Sequence, residues 1–462
     1  MLCRTSPYWC VLELITSEGM EHAVSPVSDN GKWLAVPALR PVLSPRDFSV
    51  DGIEGATCSG AEGVVGRFRD VALHSHYQPI ISLAHRRAVG YEGLLRPQKA
   101  DGQPLAPASL FGTVESDDDI VFLDRLCRNI HVRNFVGAGA EESWLFLNVN
   151  ARVAMRGKEY GPYFAAMLAR HGLAPHRVVL ELVENDIRDE ALLADAMRYY
   201  TDLGCLVAID DFGAGHSNFE RIWRVQPQIV KIDRTALIQA RINHKVRRVL
   251  PSLVALLHEA GCMTLIEGIE DEEEAMIALD AGVDFAQGYF FGRPGPKVEA
   301  RHGCTSLLGG LCNRHREISH ANRSRNRSLL APYMAEFREC AGLAGFELDA
   351  RDASSRMLAL PNVLRCYLLD GDGHQLGDTI VPPGRESAVD RRFLPVSNAG
   401  DAVWSRRPYF QRAMAEPGQV QVSRPYLSIT DARMCVTLSI MLNNSSRRDC
   451  VYCADILWEE IG

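Results

Sequence analysis

The segment that decides the fold is CLVAIDD, residues 205–211, in which an apolar run ends in the adjacent aspartates Asp210 and Asp211. A short apolar run bounded by polar residues is typical of a strand that is buried in a parallel sheet. A helical pattern covers residues 189–204, and another helix is predicted after Ser217. The segment is therefore predicted to be a strand between two helices, which is the repeating unit of a parallel α/β sheet.

The same alternation of strands and helices continues on both sides of this segment. Further strands are predicted at 144–149, 178–182, 229–232, 264–266 and 285–287. Further helices are predicted at 160–170, within 242–260 and at 272–281. Because these units repeat over about 230 residues, they favour an α/β fold with a closed, TIM-like (β/α)8 barrel. The alternative is an open, doubly wound sheet.

Polar and mostly acidic residues recur at the ends of the predicted strands. They are Glu92, Asn148, Glu181, Asp210, Asp211 and Glu267. In a parallel barrel the carboxyl ends of the strands meet at one mouth, where five carboxylates would repel each other. Mg²⁺ or Mn²⁺ would compensate this charge, and Asp210 with Asp211 could serve two metals that clamp a phosphodiester. The alternative is that each acid caps a helix or lies in a solvated loop.

Lys231 lies inside the predicted strand 229–232. The chain contains 50 lysines and arginines together, and only six are lysines, so 44 are arginines. A lysine in an apolar strand of such a chain is unlikely to be an incidental surface charge, and a compact ammonium is a good partner for carboxylates. The alternative is a purely structural ion pair.

Composition excludes several classes of protein. The chain has 462 residues, 47% of them apolar and 23% charged, which excludes a disordered, collagen-like or disulfide-scaffold chain. A net charge of −8 argues against a protein that coats DNA, and we expect no DNA partner. No apolar run is long enough to span a membrane. Thirteen irregularly spaced cysteines favour reduced thiols and a cytoplasmic location, and the isolated pair Cys450 and Cys453 is only a weak zinc signal.

The pattern changes three times along the chain and predicts four segments. They are an irregular leader at 1–63, the barrel at 64–298, a linker helix at 299–329 and a smaller α+β domain at 330–462. The last segment shows one helix at 332–344, followed by strands at 363–369, 420–423, 434–442 and 451–456. One helix followed by antiparallel strands is typical of a small sensor module.

Eight short motifs occur in the order and approximate spacing of a known family. They are YQPI (77–80), EGLLR (92–96), LNVN (147–150), LELVE (180–184), IDDFGAG (209–215), VKIDR (230–234), IEGIE (266–270) and QGYF (287–290). From about Val64 to Pro296 the chain thus resembles the bacterial EAL-domain phosphodiesterases that hydrolyse cyclic di-GMP to the linear dinucleotide pGpG. No motif of the GGDEF type occurs, so we expect no synthesis of cyclic di-GMP.

The resemblance implies a role for each matching position. Glu92, Asn148, Glu181 and Asp210 would bind the first metal. Asp210 and Asp211 would bind the second, with Glu267 joining them directly or through water. Lys231 and Gln287 would order and activate the attacking water. Gln78, Leu94 and Arg96 would bind the substrate, Arg96 through a phosphate. Glu184 would hold the loop 210–215, which shapes the metal site and contacts the second subunit of a homodimer.

Four positions depart from the family pattern. Gly93 replaces the usual alanine, Val183 and Ala214 replace frequent threonines, and His216 replaces an aromatic residue. None of these changes removes a predicted metal ligand or the lysine, so we expect an active enzyme. The alternatives are a receptor that binds cyclic di-GMP without cleaving it and signals through a protein partner, and a scaffold whose acidic residues are structural.

The C-terminal domain carries two aromatic and basic segments. Trp404 with the segment RRPYF (406–410), and the segment SRPY (423–426), resemble the ligand-facing part of Cache/PAS-like sensor domains. The resemblance implies a small-molecule ligand, either a carboxylate or an amine, and regulation of the barrel. The alternative is an aromatic core with a structural arginine.

Overall fold

The computed structural model divides the chain into two compact units, residues 1–315 and 316–462, within each of which the fold is described. It describes residues 47–60, 63–150, 153–154, 163–182, 190–214, 219–298, 305–345, 349–384, 399, 401–442 and 449–458. The predicted domain boundaries remain predictions, although a helix and a strand at 50–60 already lie inside the predicted leader.

The first unit is an eight-stranded closed barrel that carries a small antiparallel extension. Its strands are β1 (Thr57–Gly60), β2 (Gly63–Phe68), β3 (Val71–Ser82), β4 (Arg87–Gln98), β5 (Trp144–Val149), β6 (Val178–Leu182), β7 (Leu206–Phe212), β8 (Ile229–Ile232), β9 (Met263–Ile266) and β10 (Phe285–Ala286). They follow the order β1-β2-β3-β10-β9-β8-β7-β6-β5-β4, and pairing of β3 with β4 closes the barrel. The predicted TIM-like barrel is therefore confirmed, and the open sheet is excluded.

One strand of the barrel runs against the others. β3 is antiparallel to both of its neighbours, β4 and β10, whereas β4 to β10 pair in parallel. The β3–β4 hairpin is long, and Glu92 pairs with Gln78 in its middle. The prediction that Glu92 ends a strand was wrong, because antiparallel pairing with β3 carries β4 on to Gln98.

Helices surround the barrel. They are α1 (Val50–Glu54), α2 (Pro107–Gly112), α3 (Asp117–Gly137), α4 (Tyr163–His171), α5 (Glu190–Asp202), α6 (Phe219–Val225), α7 (Arg234–Ile242), α8 (His244–Glu259) and α9 (Glu272–Ala281). The sequence did not predict α3, although Ser116 caps it through the amide of Asp119. Its buried face contains the ion pair of Asp124 and Arg128, which interrupts the apolar stripe.

The second unit is a six-stranded antiparallel sheet with helices. Its elements are α10 (Thr305–Gly345), α11 (Ala350–Leu358), β11 (Val363–Asp370), β12 (Gln375–Ile380), α12 (Pro408–Ala415), β13 (Gln421–Val422), β14 (Tyr426–Leu427), β15 (Met434–Leu442) and β16 (Cys450–Leu457). The strand order is β12-β11-β16-β15-β13, and β14 also pairs with β15. Cys450 and Cys453 lie on β16 as free thiols. Among the described helices, none combines the length and apolarity needed to cross a membrane.

Helix α10 contributes to both hydrophobic cores. Leu308 and Leu311 near its start belong to the core of the first unit. Phe337 and Ala341 near its end belong to the core of the second unit, where Phe337 stacks on Tyr452 with ring centroids 5.0 Å apart. The predicted linker helix and the predicted helix at 332–344 are thus parts of one continuous helix.

Candidate active site

The inside of the barrel consists of an apolar layer and a polar layer. Seven strands each contribute one buried apolar side chain to the first layer, namely Ile80, Phe146, Val179, Ala208, Ile229, Leu265 and Phe285. The predicted site residues Gln78, Asn148, Glu181, Asp210, Lys231, Glu267 and Gln287 each lie two positions from one of these. Because side chains alternate along a strand, a step of two positions keeps the same face and moves to the next layer. The sequence spacing therefore places all seven side chains at one level.

The antiparallel strand β3 also has a polar residue two positions from its apolar one, but in the reverse order along the chain. Gln78 precedes its apolar neighbour Ile80, whereas on the parallel strands the polar residue follows the apolar one. On β4 the corresponding pair is Gly90 and Glu92. A Cβ at Gly90 would lie 2.8 Å from a ring atom of Phe146, so only glycine leaves room for the apolar layer there.

Lys231 lies at the centre of an acidic cluster. Its side chain is 1% exposed, and its Nζ lies 2.8 Å from Glu181 Oε1, 3.1 Å from Asp210 Oδ1 and 2.5 Å from Glu267 Oε1. Burial would lower the pKa of Lys231, but the surrounding carboxylates, Asp210 foremost, outweigh burial and raise its pKa well above the usual value. Lys231 is therefore a permanently charged ammonium in the barrel.

Glu92 is held by two amides on the other side of the same layer. Asn148 Nδ2 donates to Glu92 Oε1 at 2.9 Å, and Gln287 Nε2 donates to Glu92 Oε2 at 2.7 Å. Burial would raise the pKa of Glu92, but the ammonium of Lys231 and these amides outweigh burial, so its pKa is lowered. Glu92 is therefore ionised.

The pKa values of Glu181 and Glu267 are raised, in contrast to that of Glu92. Burial raises the pKa of Glu181 well above its usual value, and the charge of Glu92 adds to this effect. Burial likewise raises the pKa of Glu267, although Lys231 opposes it. Burial is the main cause of both pKa shifts, and repulsion by the neighbouring carboxylates Glu92 and Asp210 adds to it.

Asp210 and Asp211 lie at a backbone irregularity. The pairing of β7 with β8 shifts register between Ile209 and Phe212. Asp211 has a φ of 55°, in the left-handed region that residues other than glycine rarely adopt, and its amide donates to Asp210 Oδ1 at 3.0 Å. Such bulges redirect side chains and are common beside active sites.

The side chains fit a divalent metal by their chemistry. The layer offers carboxylate and carboxamide oxygens, which Mg²⁺ and Mn²⁺ prefer, and a negative charge that a cation would offset. Glu181 Oε2 is buried without a hydrogen-bond partner among the described residues, while Oε1 faces the ammonium of Lys231. In the described part of the chain, however, no three His, Cys, Asp or Glu side chains converge as a ready metal site, because the acids converge on Lys231.

The predicted substrate residues lie on the strand that carries Glu92. Leu94 and Arg96 follow Glu92 at steps of two, so they lie on the same face of β4 beyond the polar layer. Arg96 Nη1 donates to the carbonyl of Leu95 at 2.9 Å, and burial lowers the pKa of Arg96. Tyr289, which is 47% exposed, interacts electrostatically with Arg96 and lies under the guanidinium of Arg293 at 4.4 Å.

The sequence interpretation assigned no role to Tyr289 or to His131. Tyr289 lies inside the QGYF motif, but its exposure cannot be inferred from sequence. His131 lies on the unpredicted helix α3, and burial together with the charge of Arg96 lowers its pKa to about 3. The predicted loop residue Glu184, with Val183, Gly215 and His216, lies outside the described residues.

The departure at Gly93 has a structural explanation in His131. A Cβ at Gly93 would lie 3.0 Å from His131 Cγ and 3.2 Å from its Cβ. His131 is buried, its Nδ1 has no hydrogen-bond partner in the described part of the chain, and its carbonyl accepts from the hydroxyl of Tyr77 at 2.6 Å. The imidazole therefore fills the space that an alanine side chain would need.

We predict that Gly93→Ala lowers the free energy of unfolding by about 1–3 kcal/mol, because the added methyl overpacks the strand against His131. Denaturant unfolding of the full chain measures this change. Gly137→Ala is the matched control, since a Cβ there meets nothing within 4 Å. The variant Gly93→Ala/His131→Ala should lose less stability than the two single variants together. Additive losses would contradict the proposed contact.

Comparisons with known proteins agree with this architecture. Residues 66–294 match the sequence model of a family described as EAL domain. The cyclic di-GMP phosphodiesterase RocR of Pseudomonas aeruginosa is 26% identical over 248 residues, which is 53% of this chain and 63% of RocR. The uncharacterized EAL-domain containing protein YkuI of Bacillus subtilis is 26% identical over 346 residues, which is 72% of this chain and 82% of YkuI.

A solved structure extends the likeness to most of the chain. The crystal structure of YkuI with cyclic di-GMP and calcium aligns with a TM-score of 0.70 at 22% identity, covering 83% of this chain and 96% of that one. At this identity the likeness concerns the fold alone. The chain spans less than a third of the length of the first two curated relatives that it matches.

Proposed function

We propose that this chain is a metal-dependent phosphodiesterase that hydrolyses cyclic di-GMP to linear pGpG, since residues 66–294 match the EAL-domain family model. The observation that carries the proposal is the buried ammonium of Lys231 among three carboxylates, at the same level of the barrel as Glu92 and its two amide donors. A structural ion pair needs one carboxylate, so the excess of acids is better explained by cation-assisted chemistry.

The metals have named ligands under this proposal. Glu92, Asn148, Glu181 and Asp210 would hold one ion, while Asp210, Asp211 and Glu267 would hold the second. When bound, Mg²⁺ or Mn²⁺ lowers the pKa of water and offsets the negative charge of the phosphodiester. The protein contributes the fixed positions of these oxygens, because they come from β4, β5, β6, β7 and the end of β9 in one barrel, with Asp210 and Asp211 adjacent on β7.

The other side chains position water and substrate. Hydrolysis to pGpG adds water to phosphorus and breaks the P–O3′ bond, so a water must be held in line with that bond. Lys231 donates hydrogen bonds towards this water and stabilises the charge that develops on phosphorus. Gln287 is pinned by Glu92, and its buried Oε1, which has no partner among the described residues, is free to accept from the water. Arg96 binds a substrate phosphate.

The test is turnover by the full chain. Purified protein with Mn²⁺ or Mg²⁺ should convert cyclic di-GMP to pGpG, because the divalent ion neutralises the acidic layer around the phosphodiester. Excess EDTA should abolish the conversion, and added metal should restore it. Chromatography of the nucleotides measures the product. Unchanged substrate with micromolar enzyme in either metal would refute catalysis.

A second candidate is a receptor that binds cyclic di-GMP without turnover and signals through a protein partner. The pairing of Glu181, Asp210 and Glu267 with Lys231 favours it, since these acids are engaged by the ammonium. Calorimetry distinguishes the two candidates, because a receptor binds cyclic di-GMP tightly in Mn²⁺ and yields no product.

We also propose that the chain forms a homodimer through the helices that follow β7 and β8. Trp223 on α6, Ile242 on α7 and Val249 on α8 are large apolar residues that are 60–72% exposed. We expect a second copy of the chain to cover these three side chains, since apolar surface that is shared between neighbouring helices marks protein interfaces. A monomeric and fully active protein in light scattering would refute the proposal.

We propose a cytoplasmic location, because the described part of the chain contains many free cysteines.

We also propose that the second unit regulates the barrel, which can be tested by comparing turnover of the full chain with that of a shortened chain. A shortened chain for this test should end at His315, since Leu308 and Leu311 belong to the barrel core. A turnover rate equal to that of the full chain would argue against regulation.

A further inference from the structure

The second unit contains an open cavity with aromatic walls, whose empty space together with the solvent at its mouth is about 340 Å³. Tyr367, Trp404, Tyr409 and Tyr426 all line it. The rings of Tyr409 and Tyr426 stack with centroids 6.3 Å apart and an angle of 22°, and Trp404 Nε1 donates to Gln375 Oε1 at 3.2 Å. The walls are thus held in place by their own contacts, so the cavity is formed without a ligand.

One end of the cavity is positively charged. Arg407 is half-buried, and its guanidinium carbon lies 5.7 Å from the ring centre of Trp404 and 5.9 Å from that of Tyr426. Within the described residues Arg407 makes no ion pair, unlike Arg365 in the same cavity. A planar guanidinium that is oriented by aromatic faces and has no acidic partner among the described residues is suited to bind a carboxylate.

The other end of the cavity contains a carboxylate, that of Asp455. Arg365 pairs with both Asp431 and Asp455, and its Nε lies 3.2 Å from Asp455 Oδ2. Asp455 is buried and also accepts from Thr437 Oγ1 at 2.8 Å. The carboxylate of Asp455 therefore lies beside the aromatic rings of the lining and shares Arg365 with Asp431, and a carboxylate among aromatic rings can bind an organic cation.

Tyr426 connects the two ends. Its ring lies beneath Arg407, and its hydroxyl is 2.7 Å from Thr437 Oγ1, which in turn donates to Asp455. The two charged ends are therefore joined through one tyrosine, by its ring at Arg407 and by its hydroxyl and Thr437 at Asp455. A ligand that matches both ends carries opposite charges on a short organic body.

We propose that this cavity binds a small zwitterion, with its carboxylate at Arg407 and its ammonium at the end formed by Asp455. An amino acid has this chemistry, and the spacing of its two charges decides which one fits. The proposal concerns a site apart from the barrel and needs no phosphodiesterase activity.

The first experiment uses the full chain without cyclic di-GMP or divalent metal. The probes are the twenty standard amino acids, β-alanine and 4-aminobutyrate, each tested by thermal shift and then by calorimetry. At least one should bind and raise the melting temperature. The analogues of that compound that lack either the amino group or the carboxylate should bind at least about tenfold more weakly, because each loses one charged contact. The proposal would be overturned if no compound of the panel bound. It would also be overturned if an analogue without the amino group or the carboxylate bound as tightly as the amino acid itself.

The second experiment assigns the carboxylate to Arg407. Arg407→Gln should weaken binding of the selected amino acid about 10- to 100-fold, because it removes a charge-assisted contact. Arg406→Gln is the matched control, since Arg406 is exposed and does not line the cavity. Equal affinity of Arg407→Gln and the wild type would refute the assignment. If Arg407→Gln has a lower melting temperature than the wild type, Arg407→Lys is used instead. The comparison of ligand analogues tests the proposal with the wild-type chain alone.

Discussion

Lys231→Met should reduce turnover of cyclic di-GMP about 10²–10⁴-fold, because it removes the ammonium that orients water and stabilises charge on phosphorus. The same change should lower the free energy of unfolding of the metal-free chain by about 3–5 kcal/mol, because Glu181, Asp210 and Glu267 would lose their shared buried cation. Added Mn²⁺ should recover part of this stability, since a divalent ion replaces the missing positive charge.

Turnover assays and thermal unfolding, each with EDTA and with Mn²⁺, measure these effects of Lys231→Met. The control is Lys245→Met, which alters an exposed lysine on α8 and should change neither quantity. Full activity of Lys231→Met would contradict the catalytic role. An unchanged melting temperature in EDTA would contradict the electrostatic description of the cluster, whatever the activity.

Glu181→Gln should affect activity and stability in opposite directions. Glu181 is fully buried, and its charge is repelled by Glu92, Asp210 and Glu267. Replacing it by the isosteric amide should reduce turnover about 10³-fold, because a charged metal ligand is lost. The metal-free chain should melt no earlier than the wild type, because Lys231 keeps two carboxylate partners and the repulsion decreases.

This prediction is checked by turnover in Mn²⁺ and by melting in EDTA, with Glu259→Gln on the exposed surface of α8 as the matched control. A large loss of stability for Glu181→Gln would show that the residue is a structural partner of Lys231. Lys231→Met and Glu181→Gln together separate the electrostatic contributions, because the first removes the cation of the cluster and the second removes one of its anions.

The sequence was sufficient to predict the barrel. The strand-end pattern predicted that Glu181, Asp210 and Glu267 lie close together, whereas Gln78 and Gln287 were expected only from the family resemblance. The strands β5, β6 and β8 lie at the predicted positions, because each is a short apolar run between helical patterns. The alternation of side chains along a strand is a local property, so a polar residue two positions from a buried apolar one can be recognised from spacing alone.

Helix α3 could not be predicted in the same way. Its buried face includes Asp124 and Arg128, which form an ion pair with side chains only 4% exposed. On a sequence these residues look like a solvent-facing side, and only the pairing of the two charges makes their burial tolerable. The role of His131 could not be predicted either, because its imidazole is neutral only as a result of burial within the fold.

The direction of β3 and the partners of Lys231 came from the assembled fold. An apolar strand has the same pattern whichever way it runs, so the position of Gln78 beside Glu92 required the antiparallel pairing of β3. Likewise, the residues 181, 210, 231 and 267 are far apart along the chain, and no local pattern states which carboxylates will reach the ammonium. Periodicity along a strand is encoded within a few residues, whereas contacts between strands depend on how the whole barrel closes.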